Sequence, residues 1–372
     1  MIKRLVLLIG VSAHAFGQPQ STPTGQIRAI TTAVPFLLIC PDARSGGMAE
    51  TGVALPPNMY SMHWNVGALA AAESRMGIAF SYTPWLRALG IGDINHFYLP
   101  FYAHLGERAG TIGASMTFFS LGRIEFTDNA GLKTGEYEAN EFAISTAYSR
   151  LLASNLSAGV ALKYIQSNLV NATTFGSITT RPGRSVAGDF GLFYQKDLTL
   201  KVRPQAIPTT LRWGIQVSNI GAKMTYTTSG QRDFLPTNLR IGYSFTFKIN
   251  DFNSFTIAND YNKLLVPSAG GAAQVPLLEG MFKSFADAPG GWKEELAEVY
   301  WSLGAEYNYN QVFRVRGGFF YEDPLKGNRR FITLGAGLQL RRIGADVAYL
   351  TSLVQNHPLQ NTLRFTLFVL WN

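Results

Sequence analysis

Cysteine is all but absent: the 372 residues contain one, Cys40. A single thiol cannot close an internal disulfide or build a thiol-rich metal site. Charge is also scarce. Asp, Glu, Lys and Arg make up 15% of the chain, against about 25% in an ordinary soluble domain. No continuous apolar run reaches about 18 residues, which excludes membrane-spanning helices. Yet 47% of the residues are apolar. A chain this apolar, with so little charge and no long runs, must interleave apolar and polar residues at short period. A transmembrane barrel does so, because lipid-facing and lumen-facing residues alternate along each strand. The formal charge is +8, or +6 once Lys3 and Arg4 leave with the leader described below. That excess suits anionic lipid head groups and is too diffuse to argue for nucleic acid.

The final twelve residues carry the clearest pattern. Leu363, Phe365, Leu367, Val369 and Trp371 fall on one face of an extended segment, with an aromatic one residue from the end. In an outer-membrane barrel, lipid covers such a face and terminal aromatics join the interfacial girdle. The same alternation recurs upstream. Leu211, Trp213, Ile215 and Val217 oppose Arg212, Gly214, Gln216 and Ser218. Leu239, Ile241, Tyr243, Phe245 and Phe247 oppose Arg240, Gly242, Ser244, Thr246 and Lys248. Roughly fourteen such strands are expected from residue 75 onward. Their connections alternate in length. Short turns fall near 105–110, 152–154, 250–251, 310 and 342–343. Longer segments cover 84–93, 121–136, 170–183, 220–235, 265–298 and 354–361. Short periplasmic turns and long outer loops are the outer-membrane pattern, and an even strand count then puts both termini in the periplasm. One connection breaks the rule: 197–208 should be short but holds Pro204 and Pro208.

Four regions follow. Residues 1–17 read as a secretory signal, with Lys3 and Arg4 ahead of the apolar Leu5–Val11 and a small-x-small site at Ala13-His14-Ala15. Residues 18–32 are a flexible leader rich in Ser, Thr, Pro and Gly. Residues 33–74 are apolar but broken by Pro35 and Pro41. They are too short to span a membrane and are best placed inside the lumen as a plug, where backbone groups find protein partners. Within them, Ser45-Gly46-Gly47 allows a tight turn and Asn65 caps a short helix. Phe36, Leu37 and Leu38 are expected to be buried. Residues 75–372 form the barrel.

Chemistry-bearing residues are few. His96, Tyr98, Tyr102 and His104 share the face opposite Phe97, Leu99 and Phe101, so they are expected in the lumen. His96 and His104 would lie roughly 26 Å apart at the strand rise, too far to share a metal. No Gly-x-Ser-x-Gly elbow accompanies them, and catalysis is not expected. Asp42 and Arg44 are expected to pair and pin the plug to the wall. Arg314, Arg316, Arg329 and Arg330 are placed at the membrane rim, the alternative being lumen carboxylates such as Glu306. The longest connection, 265–298, carries Leu277, Leu278, Met281, Phe282, Phe285 and Trp292. These residues cover the lumen mouth or meet a partner.

The segment from Ala33 to Ala54, followed by His63-Trp64-Asn65, resembles the PorV family, the outer-membrane barrel component of the type IX secretion system of Bacteroidota. The resemblance rests on Pro35-Phe36-Leu37, then Pro41-Asp42-x-Arg44, then Gly47-Met48 and Glu50-x-Gly52-Val53-Ala54. Three positions depart from the pattern. Cys40 stands where a small residue such as alanine is expected, Ala49 where glycine is expected, and Asn65-Val66 where Asn-Pro is expected. The resemblance implies a FadL-like barrel of fourteen strands with an N-terminal plug, no cofactor and no catalytic residues. It implies an adaptor that binds secreted cargo through a C-terminal signal domain at the large translocon barrel. The adaptor then delivers cargo to a surface sortase complex for attachment to lipopolysaccharide. A FadL-like channel for hydrophobic small molecules and a lipid A deacylase are the alternatives that share the architecture.

Overall fold

The computed structural model describes residues 29–371 except 107–108, 128–131, 170–173, 176–177, 203–204, 228–231 and 269–274. The signal and most of the leader therefore lie outside the described residues. Fourteen strands close into one antiparallel barrel. They are β1 (Met76–Pro84), β2 (Ile94–Gly106), β3 (Gly110–Thr127), β4 (Lys133–Ala153), β5 (Leu156–Asn168), β8 (Gly183–Val202) and β9 (Gln205–Gly221). The second half comprises β10 (Asn238–Lys248), β11 (Asn253–Leu264), β12 (Tyr300–Tyr309), β13 (Phe313–Tyr321), β14 (Arg330–Leu340), β15 (Ile343–Ser352) and β16 (Thr362–Trp371). A separate small hairpin, β6 (Thr174–Phe175) with β7 (Ile178–Thr179), stands between β5 and β8. The seam is made by the first and last strands, from Met76 opposite Trp371 to Tyr82 opposite Phe365.

The period-two alternation sets which face each residue takes. Leu363, Phe365 and Leu367 are exposed on the outside of β16, while Arg364 and Thr366 are buried inside. Arg212, Gln216 and Ser218 are likewise buried on β9, with Trp213 outside. Two expected loops turn out to be strand. The segment 121–136 is mostly consumed by β3 and β4, whose hairpin continues through the cross-strand pairs Arg123–Glu136 (3.1 Å) and Arg123–Glu138 (3.2 Å). Of the segment 197–208, residues 197–202 belong to β8 and 205–208 to β9, with Thr199 opposite Pro208. Pro208 is tolerated because the β9–β10 ladder begins only at Thr209, so its missing N–H removes nothing from that ladder.

Residues 33–72 lie against the inward faces of the wall. They form 3₁₀ turns at Pro35–Leu38 and Val66–Ala71, and two one-turn helices, α1 (Ala43–Gly46) and α2 (Ser61–Trp64). A segment this irregular leaves many backbone groups without a ladder, and a buried one must find other partners. The wall supplies them. Ala43 N–H donates to Thr366 Oγ1 (3.0 Å), Ala49 N–H to Thr333 Oγ1 (2.9 Å) and Val66 N–H to Gln216 Oε1 (2.7 Å). Gly52 and Val53 N–H both donate to Asp260 Oδ2 (2.7 and 3.0 Å). Ser149 and Ser157 hydroxyls donate to the Gly67 carbonyl (3.0 and 2.7 Å). The wall residues in these bonds come from β4, β5, β9, β11, β14 and β16, so the segment is held around the circumference.

Inward glycines make the approach possible. A Cβ on Gly159 would sit 2.4 Å from Val66 O, on Gly214 2.4 Å from Val53 O, and on Gly304 2.6 Å from Met48 O. Gly317 is an outward control, between the inward Arg316 and Gly318, and a Cβ there would meet nothing nearer than 3.8 Å. Substituting Gly304→Val should therefore eject the Met48 region from the wall, whereas Gly317→Ala should be silent. Limited proteolysis of the folded barrel checks this: new cleavage within 43–56 is expected only in the first variant. Equal resistance in both would show that the segment does not press on the wall there.

Candidate functional site

The densest polar constellation joins the N-terminal segment to three strands. Asp42 caps α1: its Oδ1 accepts the Ser45 N–H (2.8 Å) and its Oδ2 accepts the Trp64 indole N–H (2.7 Å). Burial pushes the Asp42 carboxyl above its usual range, and these two donors work against that shift. Arg44, fixed on the same turn, reaches Glu306 of β12 through Nε (3.3 Å) and Nη2 (3.2 Å), and donates from Nη1 to Pro56 O (3.0 Å). Glu306 also accepts from Arg316 Nε (2.6 Å), and Arg316 Nη1 reaches Asp346 Oδ1 (2.6 Å). Two guanidiniums and two carboxylates thus balance in the lumen, and the Arg316 side chain is 1% exposed. Arg316 on β13 must cross β14 to touch Asp346 on β15. It can because Gly337 lies between them: a Cβ there would sit 2.3 Å from Asp346 Oδ1 and 3.0 Å from the Arg316 guanidinium.

Two further ties flank this cluster. Arg364 of β16 bonds Glu50 (3.1 Å) and lies against Gly46, whose Cβ would be 2.8 Å from Arg364 Cδ. Arg240 of β10 stacks on the Trp64 ring at 4.7 Å and donates to Asn262 Oδ1 (2.8 Å) and the His63 carbonyl (3.3 Å). Below the cluster, at the barrel end where β1 begins and β16 stops, lies a polar vestibule of about 920 Å³. Arg44, Arg212, Glu306, Arg314 and Asp346 line it.

Several expectations need correction. Asp42 and Arg44 do not pair with each other; the Asp42 carboxylate is taken up by the α1 cap and Trp64, so Arg44 turns to Glu306. Arg314 and Arg316 are not at the rim, since both face inward; Arg314 bonds Gln339 Oε1 (2.8 Å). Arg329 bonds Glu322 (2.8 Å) and lies over the Tyr300 and Phe320 rings. The left-handed backbone falls at Ala49 (φ 55°) and Glu50 (φ 66°), not at Gly46-Gly47, whose lack of Cβ serves close packing. A glycine in place of Ala49 would relieve that conformation. Phe36 and Leu37 are buried with Val34, Ile165 and Leu235, but Leu38 is only half-buried and Pro35 is exposed. Pro41, Gly47 and Met48 are buried, and Gly52 lies under the Trp64 ring.

The long connection holds two helices, α3 (Leu277–Lys283) and α4 (Trp292–Ala297). Leu278, Phe282, Phe285 and Trp292 are exposed, and Leu277 and Met281 half-buried. The mouth is instead approached by Met224 and Leu235 of the β9–β10 connection, which pack on Val34 and Phe36. His96 is buried, and His104 bonds Thr111 Oγ1 (2.6 Å) and Ala72 O (2.9 Å). Among the described residues there is no cluster of three or more potential metal ligands. Asp346 and Gly337 were missed by sequence reasoning, although inward glycines at 335 and 337 between two charged strands were a usable signal.

A closed antiparallel barrel with an apolar outer face and a polar interior is the architecture of an outer-membrane protein. Residues 22–270 match the family described as "Type IX secretion system protein PorV". The match covers more than half of the chain, which belongs to the PorV family and is an outer-membrane component of the type IX secretion system. No curated protein matches the chain. Among solved structures, the Ralstonia pickettii toluene transporter TbuX shares 14% identity at TM-score 0.49, covering 89% of this chain and 98% of TbuX. The Pseudomonas putida toluene transporter TodX shares 10% at 0.48, covering 92% and 98%. A Pseudomonas aeruginosa FadL homologue shares 12% at 0.45, covering 92% and 99%.

Glu306→Ala would leave Arg44 and Arg316 facing each other without a shared counter-charge. Stranding a buried charge costs about 3–5 kcal/mol. Guanidinium unfolding of the refolded barrel, followed by tryptophan fluorescence, should show a loss of that order. A loss below about 1 kcal/mol, the value of an exposed pair, would mean that water already solvates the cluster.

Proposed function

We propose that the protein is a non-catalytic adaptor of type IX secretion, with both termini in the periplasm. It binds the C-terminal signal domains of cargo leaving the translocon barrel and delivers them to the surface attachment complex. The observation that carries this reading is the family match over residues 22–270. The interior is consistent with it. The N-terminal segment acts as a plug tied by the charge cluster, and the vestibule beneath is lined by charged side chains. A conduit for hydrophobic molecules gains nothing from such a lining, since burying charge is costly. Partner contacts are assigned to the connections 220–235 and 265–298; in the second, α3 presents Leu278 and Phe282 to the outside.

Two experiments test the two halves of this proposal. Shortening 275–292 while keeping Leu264 and Val299 should leave heat-modifiable gel migration intact, the sign of a folded barrel. Co-purification of the translocon barrel and signal-bearing cargo should collapse; recovery at wild-type level would place the binding surface elsewhere. Deleting 33–48 should raise single-channel conductance in planar bilayers, and an unchanged trace would remove the plug role.

A further inference from the structure

Within the connection 265–298, α4 lies on the outside of the barrel. On β11, Asp260 and Asn262 face the lumen, where they bond the N-terminal segment and Arg240. Lys263 therefore takes an outward position, opposite the outward Leu239. It is nevertheless buried, because α4 lies across it. Lys263 Nζ bonds Glu295 (3.0 Å) and Glu298 (2.6 Å). Lys326, from the β13–β14 connection, bonds Glu294 (2.7 Å) and Glu298 (2.9 Å). Burial alone would lower the Lys326 pKa, but the two glutamates carry it upward. These four bonds strap α4 against the outside of the wall. The acidic face of the helix is spent on the straps, which leaves Trp292 and Leu296, four residues apart, on another face.

Beneath this strap is a cavity of about 550 Å³, within the range of about 300–1,000 Å³ typical of ligand pockets. Leu239, Ile241 and Tyr261 form its floor, and Phe285, Trp292 and Leu296 its far side. The floor is part of the lipid-facing band. Ile241 is in register with Ile215 of β9 and with Tyr261, and Tyr261 with Trp301 of β12. The cavity is thus continuous with the surface that lipid covers. Its charged and amide side chains are consumed: Lys263 and Glu295 bond each other, and the Asn262 side chain bonds Arg240 on the lumen side, which leaves the Tyr261 hydroxyl and the Trp292 indole N–H as its remaining polar side-chain groups. A peptide entering it would bury more backbone N–H and C=O groups than one hydroxyl and one indole N–H can pair, which is costly. A hydrocarbon chain brings no such groups.

We infer that the space between α4 and the outer faces of β10 and β11 is a lateral lipid site that takes one acyl chain of a bilayer lipid. It is separate from the lumen and from the charge cluster. Trp292 at its edge suits the membrane interface, where amphipathic rings concentrate.

Photo-crosslinking tests this in the full chain reconstituted into nanodiscs containing a phosphatidylcholine with a diazirine in its acyl chain. Labelled residues are mapped by mass spectrometry. Labelling at Phe285, Trp292, Leu296 and Leu239 should exceed that at Phe80 several-fold. Phe80 is exposed on β1, seven strands away around the barrel. Ile241→Trp, which fills the floor, should reduce pocket labelling to the Phe80 level and leave Phe80 itself unchanged. Leu239→Trp, a second filling variant, should do the same, and heat-modifiable migration confirms that each barrel is folded. Pocket labelling no higher than Phe80 in the wild type, or undiminished in a folded filling variant, would overturn the assignment. So would a protein partner that excludes the lipid label from these residues.

Discussion

The structure turns on the meeting of Arg44, Glu306, Arg316 and Asp346 inside the barrel. Buried charges of one sign cannot be left alone, because the desolvation of each is worth several kcal/mol. Glu306 is therefore committed to two guanidiniums, one from the wall and one from the N-terminal segment. The segment cannot leave without stripping the wall of a counter-ion. The wall cannot deform without breaking the reach of Arg316 over Gly337 to Asp346. A pair of this kind adds little net stability over apolar packing. Its effect here is to fix position, since Arg44 reaches Glu306 only when α1 is seated beside β12.

Around that anchor the same logic applies to the backbone. The segment 33–72 has little regular structure, so its amides must be met by side chains. The inward positions of the wall carry Ser, Thr, Gln and Asp where they are needed and glycine where the two backbones touch. An open, water-filled lumen would require neither. Polar inward residues alone would suit a channel; the short contacts at Gly159, Gly214 and Gly304 show the N-terminal segment pressed against the wall.

Much of this was legible in the sequence, and the gaps have physical causes. Strand positions followed from period-two alternation, which lipid on one side and polar groups on the other make strict. The 121–136 and 197–208 segments read as connections because turn-forming residues, Asp128-Asn129 in the first and Pro204 and Pro208 in the second, mask the short alternations Ile124/Phe126 and Leu198/Leu200/Val202. The N-terminal pattern placed Asp42 and Arg44 near each other in the chain. It could not show that Trp64, twenty-two residues on, would take up the Asp42 carboxylate and release Arg44 to the wall. Arg316 read as a rim residue because its partner, Asp346, lies two strands away. The apolar residues of α3 and α4 were visible, but not the direction in which they face. That is set by Lys263 and Lys326, which hold the acidic side of α4 to the outside of the barrel.

The account depends most on the N-terminal segment being held inside the barrel as firmly as the strands around it. Hydrogen–deuterium exchange of the intact protein in nanodiscs measures this directly. The amides of Ala43, Ala49, Gly52, Val53 and Val66 donate to wall side chains. They should exchange as slowly as those of β12 and β13. Complete exchange across 43–66 within seconds, with the strands still protected, would contradict it.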